Sequence, residues 1–391
     1  MTTATSPLSP PPATSSRRLR VAILYQLPES WANVRSLWDA MLDDPEVEPI
    51  VVLLPFEHQD YQWNRENAAA QLDALGVPWQ AWDEIDPAKA GFDAVLYTSP
   101  YDETRPAAYR FAALSRHVRF TAYIPYGLEV GGGSVNLFHQ YGQPVNLHAS
   151  AVFVRSESAR QMYARHCASG AGHVVVSGHP RMDAMSRLDD FEVDPALLAQ
   201  IGPRKAVLWN AHFSFDADQW STFDQLTMPI LEHFAVRPDL ALLFRPHPLL
   251  WKKLVNLGIY DEAGVVALRA ELQALGVVID ERADHRHAFA ASSALMTDAG
   301  SFLMEYFVTG KPVLYLANPH GLGLNEEGRA VSRYYDVAAD AGAVGAFLDS
   351  LENRPSDELS RRRAAIPDFF AGFDGGAGRR VLEHLKTRLA A

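Results

Sequence analysis

Short apolar runs alternate with segments of helical periodicity from Arg18 onward. In the first half of the chain these runs have the length of buried strands, and they read LRVAILYQ, VEPIVVLLP, DAVLYTS, VRFTAYIPY, ASAVFVRS and GHVVVSG. Between the first two runs, large apolar residues recur on one helical face, and Ser30 is a candidate N-cap. These apolar residues are Trp31, Val34, Trp38 and Met41. Continuous apolar strands that alternate with helices predict a parallel sheet covered on both faces.

A polar stretch, GHPRMDAMSRLDDFEVDP, interrupts this pattern, which then restarts with KAVLWNAH, LALLFRPHP, GVVID, SALMTD and KPVLYLA. We interpret the stretch as the join between two Rossmann-like, doubly wound α/β domains that face each other across a cleft. Residues 1–17 form a disordered tail, 18–185 an acceptor domain and 186–391 a nucleotide-donor domain, and the last helix could pack on either domain. Open α/β sheets bind ligands at the carboxyl ends of their strands, so the cleft is the expected site.

Composition excludes several classes of protein. The 391 residues carry a net charge of -12, which argues against a nucleic-acid groove. The single cysteine, Cys167, rules out an intrachain disulfide framework and fits the cytoplasm. No apolar stretch reaches the length of a membrane span, so any membrane contact is expected to be peripheral.

Two strand ends in the second half carry residues suited to an anionic ligand. Arg245 and His247 follow the run LALLF, and the flanking prolines stiffen the strand exit. Arginine offers a planar donor fork to phosphate, and histidine can donate to phosphate or accept a proton near neutral pH. Asn210 and His212 follow the run KAVLW in the same way, and the sites adjoin if the strands are neighbours. The alternative for Arg245 and His247 is a loop that carries them without a binding role. The alternative for His212 is a histidine that only stabilises the fold.

The third strand end lies in ALMTDAGSFLMEYF, where polar residues separate a strand from a short helix. The first N–H groups of a helix that starts near Ser301 lack intrahelical partners, and Gly300 lets a phosphate approach them. Glu305 lies one turn further on and could accept from ribose hydroxyls. The alternative is ordinary N-capping by Asp298 or Ser301.

The first half offers the segment YGLEVGGGSVNLFHQ after a strand. Its glycines, including Gly131 and Gly132, do not form the GxGxxG dinucleotide motif and fit a flexible loop on the acceptor side. His139 follows as a candidate for proton transfer. In the second half, the sequence DHRH gives no third ligand cluster, so no metal site is expected.

Three motifs together, SGHPRMD, FRPHP and TDAGSFLMEYFVTGKPVLYL, resemble the CDP-glycerol glycerophosphotransferase family of teichoic-acid and capsule polymerases over about residues 120–320. The resemblance implies a GT-B fold and a catalytic, phosphate-binding role for His247. It also matches the positions Arg181, Asp183, Asp298, Ser301 and Glu305 to family motifs. This chain has Ala299-Gly300 in place of Tyr-Ser, Tyr126-Gly127 in place of the family's His-Gly, and WNAHFS in place of a Tyr-Ala-Pro-Thr-x-Arg element.

The resemblance implies a transferase that moves a glycerophosphate-like group from a CDP-activated donor to a hydroxyl of a cell-surface polysaccharide or lipid-linked acceptor. The donor is a substrate, no cofactor is expected, and the place of action is the cytoplasm, including the inner face of the membrane. His247, His212 and Tyr126 are the catalytic candidates. A GT-B glycosyltransferase that uses a nucleotide sugar is an alternative, and a non-catalytic nucleotide-binding subunit is another. The sequence leaves the oligomeric state open.

Overall fold

The structure, a computed structural model, describes residues 17–57 and 63–390. The predicted tail therefore lies outside the described residues except for Arg17, which forms an ion pair with Asp93 at 2.7 Å. The described residues form thirteen strands: β1 (Leu19–Tyr25), β2 (Val47–Leu53), β3 (Trp79–Ala81), β4 (Ala94–Tyr97), β5 (Phe120–Tyr123), β6 (Ala151–Val154), β7 (Val174–Val176), β8 (Lys205–Asn210), β9 (Leu240–Phe244), β10 (Val278–Ile279), β11 (Ser292–Thr297), β12 (Val313–Leu316) and β13 (Asp336–Ala338).

The strands build two separate sheets in which every pair of neighbours is parallel. The first sheet has the order β3-β2-β1-β4-β5-β6-β7, and the second has the order β10-β9-β8-β11-β12-β13. We call the parts that carry them the first half and the second half. Both orders reverse direction at a central strand, as in doubly wound folds. The prediction of two parallel α/β sheets is confirmed, while the domain boundary at residues 185 and 186 stays a prediction.

Helices cover both sheets. They are α1 (Arg35–Leu42), α2 (Arg65–Ala74), α3 (Phe111–Leu114), α4 (Ser134–Tyr141), α5 (Pro144–His148), α6 (Glu157–His166), α7 (Pro180–Asp183), α8 (Pro195–Ile201), α9 (Phe223–Ala235), α10 (Leu250–Asn256), α11 (Glu262–Ala274), α12 (Arg286–Ala291), α13 (Phe302–Glu305), α14 (Glu326–Ser332), α15 (Ala341–Ser350), α16 (Ser356–Ala364), α17 (Ile366–Phe369) and α18 (Ala377–Ala390). Short 3-10 helices lie at Pro28–Asn33, Trp82–Glu84, Asp102–Thr104, Ala107–Tyr109, Met185–Asp190 and Tyr306–Thr309.

The apolar face predicted after β1 is buried as expected, but it is divided between two elements. Trp31 lies in the 3-10 helix Pro28–Asn33, and Trp38 and Met41 lie in α1. Ser30 lies inside the 3-10 helix and is not an N-cap, so that prediction is wrong. Its hydroxyl instead donates to the carbonyl of Leu27 at 2.7 Å. Pro28 starts the 3-10 helix because its fixed φ suits the first helical position.

The last helix, α18, packs on the first half. Its first-turn N–H groups at Ala377 and Gly378 both donate to the Asp183 carboxylate at 2.9 Å, and the Ser36 hydroxyl donates to the same carboxylate at 2.7 Å. A helix N-terminus leaves such N–H groups unpaired and favours a negative charge beside them. The polar stretch between the halves therefore carries the residue that fastens the end of the chain back to α1.

Candidate active site

The carboxyl ends of three neighbouring strands, β9, β8 and β11, are joined through one side chain. The Asn210 amide nitrogen donates to the Arg245 carbonyl at 2.8 Å, and its amide oxygen accepts from the Thr297 hydroxyl at 3.1 Å. The predicted proximity of the three polar strand ends is therefore observed. Asn210 therefore holds the strand ends together. Its amide keeps a second N–H and a second lone pair, so the expected donor-binding role of Asn210 stays a prediction.

His212 and His247 lie side by side at this edge, with ring centroids 5.2 Å apart. The Nδ1 atom of each ring accepts a backbone N–H at 3.1 Å, from Ser214 and Leu249 respectively. A neutral imidazole that accepts at Nδ1 carries its proton on Nε2. No described residue accepts from either Nε2–H group, so both groups are left to donate to a bound molecule.

Desolvation keeps both imidazoles neutral. It lowers the pKa of His247 to about 4, and it lowers the pKa of His212 well below the ordinary range, with a further contribution from the neighbouring His247. Two neutral N–H donors side by side can bind the oxygens of a phosphate group without a net positive charge. A Cβ placed on Gly300 would lie 3.6 Å from Cδ2 of His212, so the loop after β11 runs directly beside this pair.

Asp298 is buried below the histidine pair and does not face the space in front of it. Its carboxylate accepts the His212 backbone N–H at 2.7 Å and the Thr222 hydroxyl at 2.6 Å. Burial raises the pKa of this carboxyl to about 7. The expected direct contact between Asp298 and a donor is therefore not supported, nor does Asp298 cap a helix; it fixes the backbone that carries His212.

Arg245 does not present a free guanidinium to the site. Its Nη1 forms an ion pair with Asp280 at 2.6 Å, and its Nη2 donates to the Arg282 carbonyl at 2.7 Å. Asp280 is fully buried and also pairs with Arg282 at 2.8 Å. Because a buried carboxylate needs a cation, Arg245 turns back toward β10. The expected phosphate-binding role of Arg245 is not supported.

Glu305 is fully buried as well. Its carboxylate lies 3.1 Å from Arg181 and 2.9 Å from His285. Burial alone would raise the pKa of Glu305, but the charges of Arg181 and His285 lower it to about 2. The expected contact with ribose hydroxyls is not supported in this arrangement, because no carboxylate oxygen reaches the surface. The matched position Arg181 instead gives Glu305 its counter-charge.

Gly300 and Ser301 remain at the site. Both are partly exposed, and Ser301 is the N-cap residue of α13, which is a single turn. The N–H groups of Leu303 and Met304 donate to the Gly300 and Ser301 carbonyls, so only the N–H groups at the very start of this turn lack an intrahelical acceptor. The start of this segment therefore lies next to the histidine pair, and its role in donor binding stays a prediction.

The expected flexible glycine loop is instead packed in a seam between the halves. Gly131 forms an antiparallel bridge with Leu324, and the Gly132 N–H donates to the Gly323 carbonyl at 2.9 Å. A Cβ on Gly131 would lie 2.5 Å from the indole of Trp220, and one on Gly132 would lie 2.8 Å from a backbone oxygen. The segment is therefore not the flexible loop we expected, because only glycine permits this close approach, while its place on the acceptor side stays a prediction.

Trp220 connects the seam to the histidine pair. Its indole contacts Gly131 on the first half and lies 5.5 Å, centroid to centroid, from the His212 ring on its own half. The carboxyl edges of the two sheets are therefore in contact at the point where the histidines lie. We call this region the junction.

Tyr126 and His139 lie on the first-half side of the junction. The Tyr126 hydroxyl and the Tyr101 hydroxyl are 2.9 Å apart, and the His139 ring lies 5.6 Å from the Tyr101 ring. Desolvation raises the pKa of both tyrosine hydroxyls above the ordinary value. Tyr126 therefore stays protonated near neutral pH, which makes it a hydrogen-bonding group rather than a proton acceptor.

Glu129 is a further carboxyl beside the Tyr126-Gly127 position. Its two oxygens would lie 3.7 and 3.8 Å from a Cβ on Gly127, and no described residue donates a hydrogen bond to them. It lines a cavity of about 20 Å³ together with Arg155 and Glu327. Burial raises the pKa of Glu129 to about 8, against the opposing effect of Arg155. Such a carboxyl exchanges a proton near neutral pH.

The remaining candidates lie elsewhere. In the DHRH segment, His285 faces Glu305, while His287 Nδ1 accepts the Asp194 N–H at 3.1 Å. Within the described ranges, no three His, Cys, Asp or Glu side chains gather so as to hold a metal ion. Cys167 is buried at the end of α6 and contacts the Asn146 carbonyl. No helix in the part of the chain that the structure describes is long and apolar enough to cross a membrane.

Reasoning from the sequence missed five residues that shape the site, and Glu129 is one of them. Thr222 and Asp280 hold Asp298 and Arg245, Trp220 bridges the halves, and Asn325 donates through its backbone and side chain to the carbonyls of residues 130 and 129. Of these residues, only Asn325 could have been recognised from the sequence, because Asn followed by two Glu is typical of a helix start.

A comparison with family models identifies one match. The model described as CDP-glycerol:poly(glycerophosphate) glycerophosphotransferase matches residues 143–386, which is more than half of the chain. A comparison with curated protein sequences gave no match.

Solved structures with the same arrangement of two sheets include nucleotide-sugar and teichoic-acid enzymes. A UDP-N-acetylglucosamine 2-epimerase is 18% identical with a TM-score of 0.66, over 96% of this chain and 97% of that chain. The UDP-GlcNAc 2-epimerase from Neisseria meningitidis bound to UDP-GlcNAc is 15% identical with a TM-score of 0.63, over 94% and 100%. A variant of the wall teichoic acid polymerase TagF soaked with CDPG is 11% identical with a TM-score of 0.59, over 95% and 88%. At these identities the likeness shows the fold, which is GT-B as expected.

Proposed function

Because the chain belongs to the CDP-glycerol:poly(glycerophosphate) glycerophosphotransferase family, we propose that it transfers a glycerophosphate group from CDP-glycerol to a hydroxyl of a cell-surface polymer. The observation that carries the proposal is the pair of neutral histidines, His212 and His247, at the carboxyl edge of the second sheet. Their rings lie 5.2 Å apart, and no described residue accepts from either Nε2–H group. A polymer or lipid-linked acceptor brings the protein to the inner face of the membrane, where we place its activity.

The reaction forms a bond between the acceptor oxygen and the β-phosphorus of the donor. The bond between that phosphorus and the bridging oxygen breaks, and CMP leaves with the electron pair. Negative charge develops on the phosphate oxygens and on the leaving CMP. The Nε2–H groups of His212 and His247, with the backbone N–H groups near Gly300 and Ser301, donate to these oxygens. Hydrogen-bond donors that already point to the atoms where negative charge develops stabilise the transition state, and this is a large source of rate enhancement.

The acceptor hydroxyl must lose its proton during transfer. We propose that the Glu129 carboxylate accepts it. Tyr126 occupies the position of the family's histidine, but its hydroxyl stays protonated. The Glu129 carboxylate lies against Gly127, receives no hydrogen bond from a described residue and has a pKa of about 8. Transfer should therefore accelerate as the pH rises from 7 to 9. Glu129→Gln should abolish transfer and leave the affinity for CDP-glycerol unchanged.

The experiment that tests the function is a titration of the purified chain with CDP-glycerol, CMP, UDP-sugars and GDP-sugars, followed by product analysis in the presence of an acceptor. Selective binding of cytidine nucleotides and release of CMP are expected. Release of a nucleoside diphosphate from a nucleotide sugar would show a glycosyltransferase instead. Binding without release of either product, together with full function of His247→Ala in cells, would show a non-catalytic subunit.

A further inference from the structure

One face of helix α4 leaves large apolar residues exposed. The helix buries Tyr141 against the core, yet Phe138 is 59% exposed and Val135 is 64% exposed, while the polar Gln140 is buried. A helix that covers a sheet normally buries its large apolar residues and exposes its polar ones. The packing of the fold therefore accounts for Tyr141 but not for the exposed Phe138 and Val135.

The exposed residues adjoin aromatic rings at the carboxyl edge of the first sheet. The Phe138 ring lies 6.1 Å from His139, His139 lies 5.6 Å from Tyr101, and Tyr101 lies 5.8 Å from Tyr126, which is 40% exposed. We call Tyr101, Tyr126, Phe138 and His139 the aromatic cluster. Leu322 of the second half, 49% exposed, extends this apolar surface, because its side chain lies against Gly133 at the start of α4.

Polar groups with unused capacity lie among these rings. The Tyr101 and Tyr126 hydroxyls bond to each other at 2.9 Å, and each keeps further capacity to donate or accept. The His139 Nδ1 atom is buried without a hydrogen-bond partner among the described residues. A buried ring nitrogen without a partner costs stability unless a ligand or water satisfies it. The cluster therefore combines apolar faces with hydrogen-bonding groups.

The charges around the cluster are acidic. Glu103 lies near enough to Tyr101, and Asp218 of the second half near enough to His139, for their charges to interact. A phosphate group on this surface would be repelled, since like charges in a partly desolvated site are unfavourable. A neutral molecule with an apolar face and several hydroxyls meets no such penalty.

We propose that the aromatic cluster binds a neutral sugar residue at the end of the acceptor. A pyranose ring presents a C–H face that packs on an aromatic ring, and its hydroxyls reach groups such as the tyrosine pair and His139. This inference rests on the proposed function and adds to it the chemical class of the acceptor terminus. It places the reacting hydroxyl on a sugar and not on a chain end rich in phosphate.

The test measures binding and transfer separately with the full chain. Saturation-transfer NMR detects binding of methyl glucopyranoside, methyl N-acetylglucosaminide and glycerol 3-phosphate, and CMP release from CDP-glycerol measures transfer. Phe138→Ala should weaken binding of the glycosides and raise their KM by about 3- to 10-fold, while the KM for CDP-glycerol stays unchanged. Tyr101→Phe keeps the ring and removes one hydroxyl, so it should weaken the same step less.

The matched control is Tyr260→Ala, which removes a different exposed aromatic ring in the second half and should change neither quantity. Thermal unfolding of each variant confirms that it is folded. Binding of glycerol 3-phosphate that exceeds that of the glycosides would overturn the inference. So would loss of sedimentation with phosphatidylglycerol vesicles in Phe138→Ala, because the cluster would then be a membrane contact.

The inference and the proposed function fail separately. CMP release with some acceptor but no glycoside binding overturns the inference alone. Glycoside binding that Phe138→Ala weakens, without CMP release from CDP-glycerol under any condition, overturns the proposed function and leaves the sugar site in place.

Discussion

The histidine pair allows a sharp test of whether His247 donates a hydrogen bond or moves a proton. Its Nδ1 atom is occupied by the Leu249 N–H, so Nε2–H is the group left for a ligand. A glutamine at this position can place an amide N–H near the same point but cannot exchange a proton near neutral pH. We therefore expect His247→Gln to retain much of the activity that His247→Ala loses.

The magnitude follows from the loss of one donor. A hydrogen bond to a charged group contributes about 1.5–3 kcal/mol, and each 1.36 kcal/mol is a factor of ten, so His247→Ala should lower kcat/KM about 10- to 200-fold. His247→Gln should remain within about tenfold of the parent chain, since one N–H donor is kept. Because the pKa of His247 is about 4, the shape of the pH profile above pH 5.5 should be the same in all three proteins.

The assay is initial-rate CMP release at saturating acceptor between pH 5.5 and 9, with calorimetric affinity for CDP-glycerol measured in parallel. His117→Ala, at an exposed position, is the matched control and should behave as the parent chain. The reasoning is refuted if the Gln variant is as inactive as the Ala variant and if both lose a titration near pH 6.5 that the parent shows. That result would make His247 a proton-transfer residue.

Three further predictions concern the parts that hold the site. Gly131→Ala should destabilise the chain by about 1–3 kcal/mol in urea unfolding, because the new Cβ overlaps an indole across the seam, while Gly172→Ala, which faces open space, should be neutral. Asp183→Ala should cost about 2 kcal/mol and speed amide hydrogen exchange in the first turn of α18, whose N–H groups it caps. Glu305→Gln should cost about 1–3 kcal/mol, because it removes the buried carboxylate that lies 3.1 Å from the partly exposed Arg181 guanidinium.

Each of these has a contrary outcome. An alanine at 131 that unfolds like the one at 172 would mean that the seam opens in solution. Unchanged exchange in α18 would show that another residue fastens this helix. Full stability of Glu305→Gln would show that the Glu305 carboxylate is exposed to water, where it could bind ribose hydroxyls.

The sheets could be predicted because buried parallel strands are long apolar runs. Two strands escaped prediction, Trp79–Ala81 and Asp336–Ala338, and both are three-residue strands at an edge of a sheet. An edge strand has one neighbour and needs little burial, so its sequence carries no clear periodicity. The apolar face formed by the residues after β1 could be predicted as well. The division of this segment into a 3-10 helix and an α-helix could not.

The proximity of the strand ends that form the candidate site could be predicted, but the contacts of its charged residues could not. Parallel strands end at the same edge, so His212 and His247 had to lie near each other. Whether an arginine or a carboxylate faces a ligand depends on its partner, and those partners lie far away in sequence. Arg245 pairs with Asp280 and Glu305 pairs with Arg181, and no local pattern connects either pair.

The return of the chain to the first half affects how the two halves can move. The chain leaves the first half after Asp183 and comes back through residues 371–376, and these two crossings touch, since a Cβ on Gly375 would lie 3.2 Å from the Ser186 hydroxyl. Two adjacent crossings act as one double-stranded hinge, so a rotation between the sheets must bend both together and cannot twist freely. The second crossing also keeps each half at a high effective concentration for the other, so that closing over a substrate costs little translational entropy.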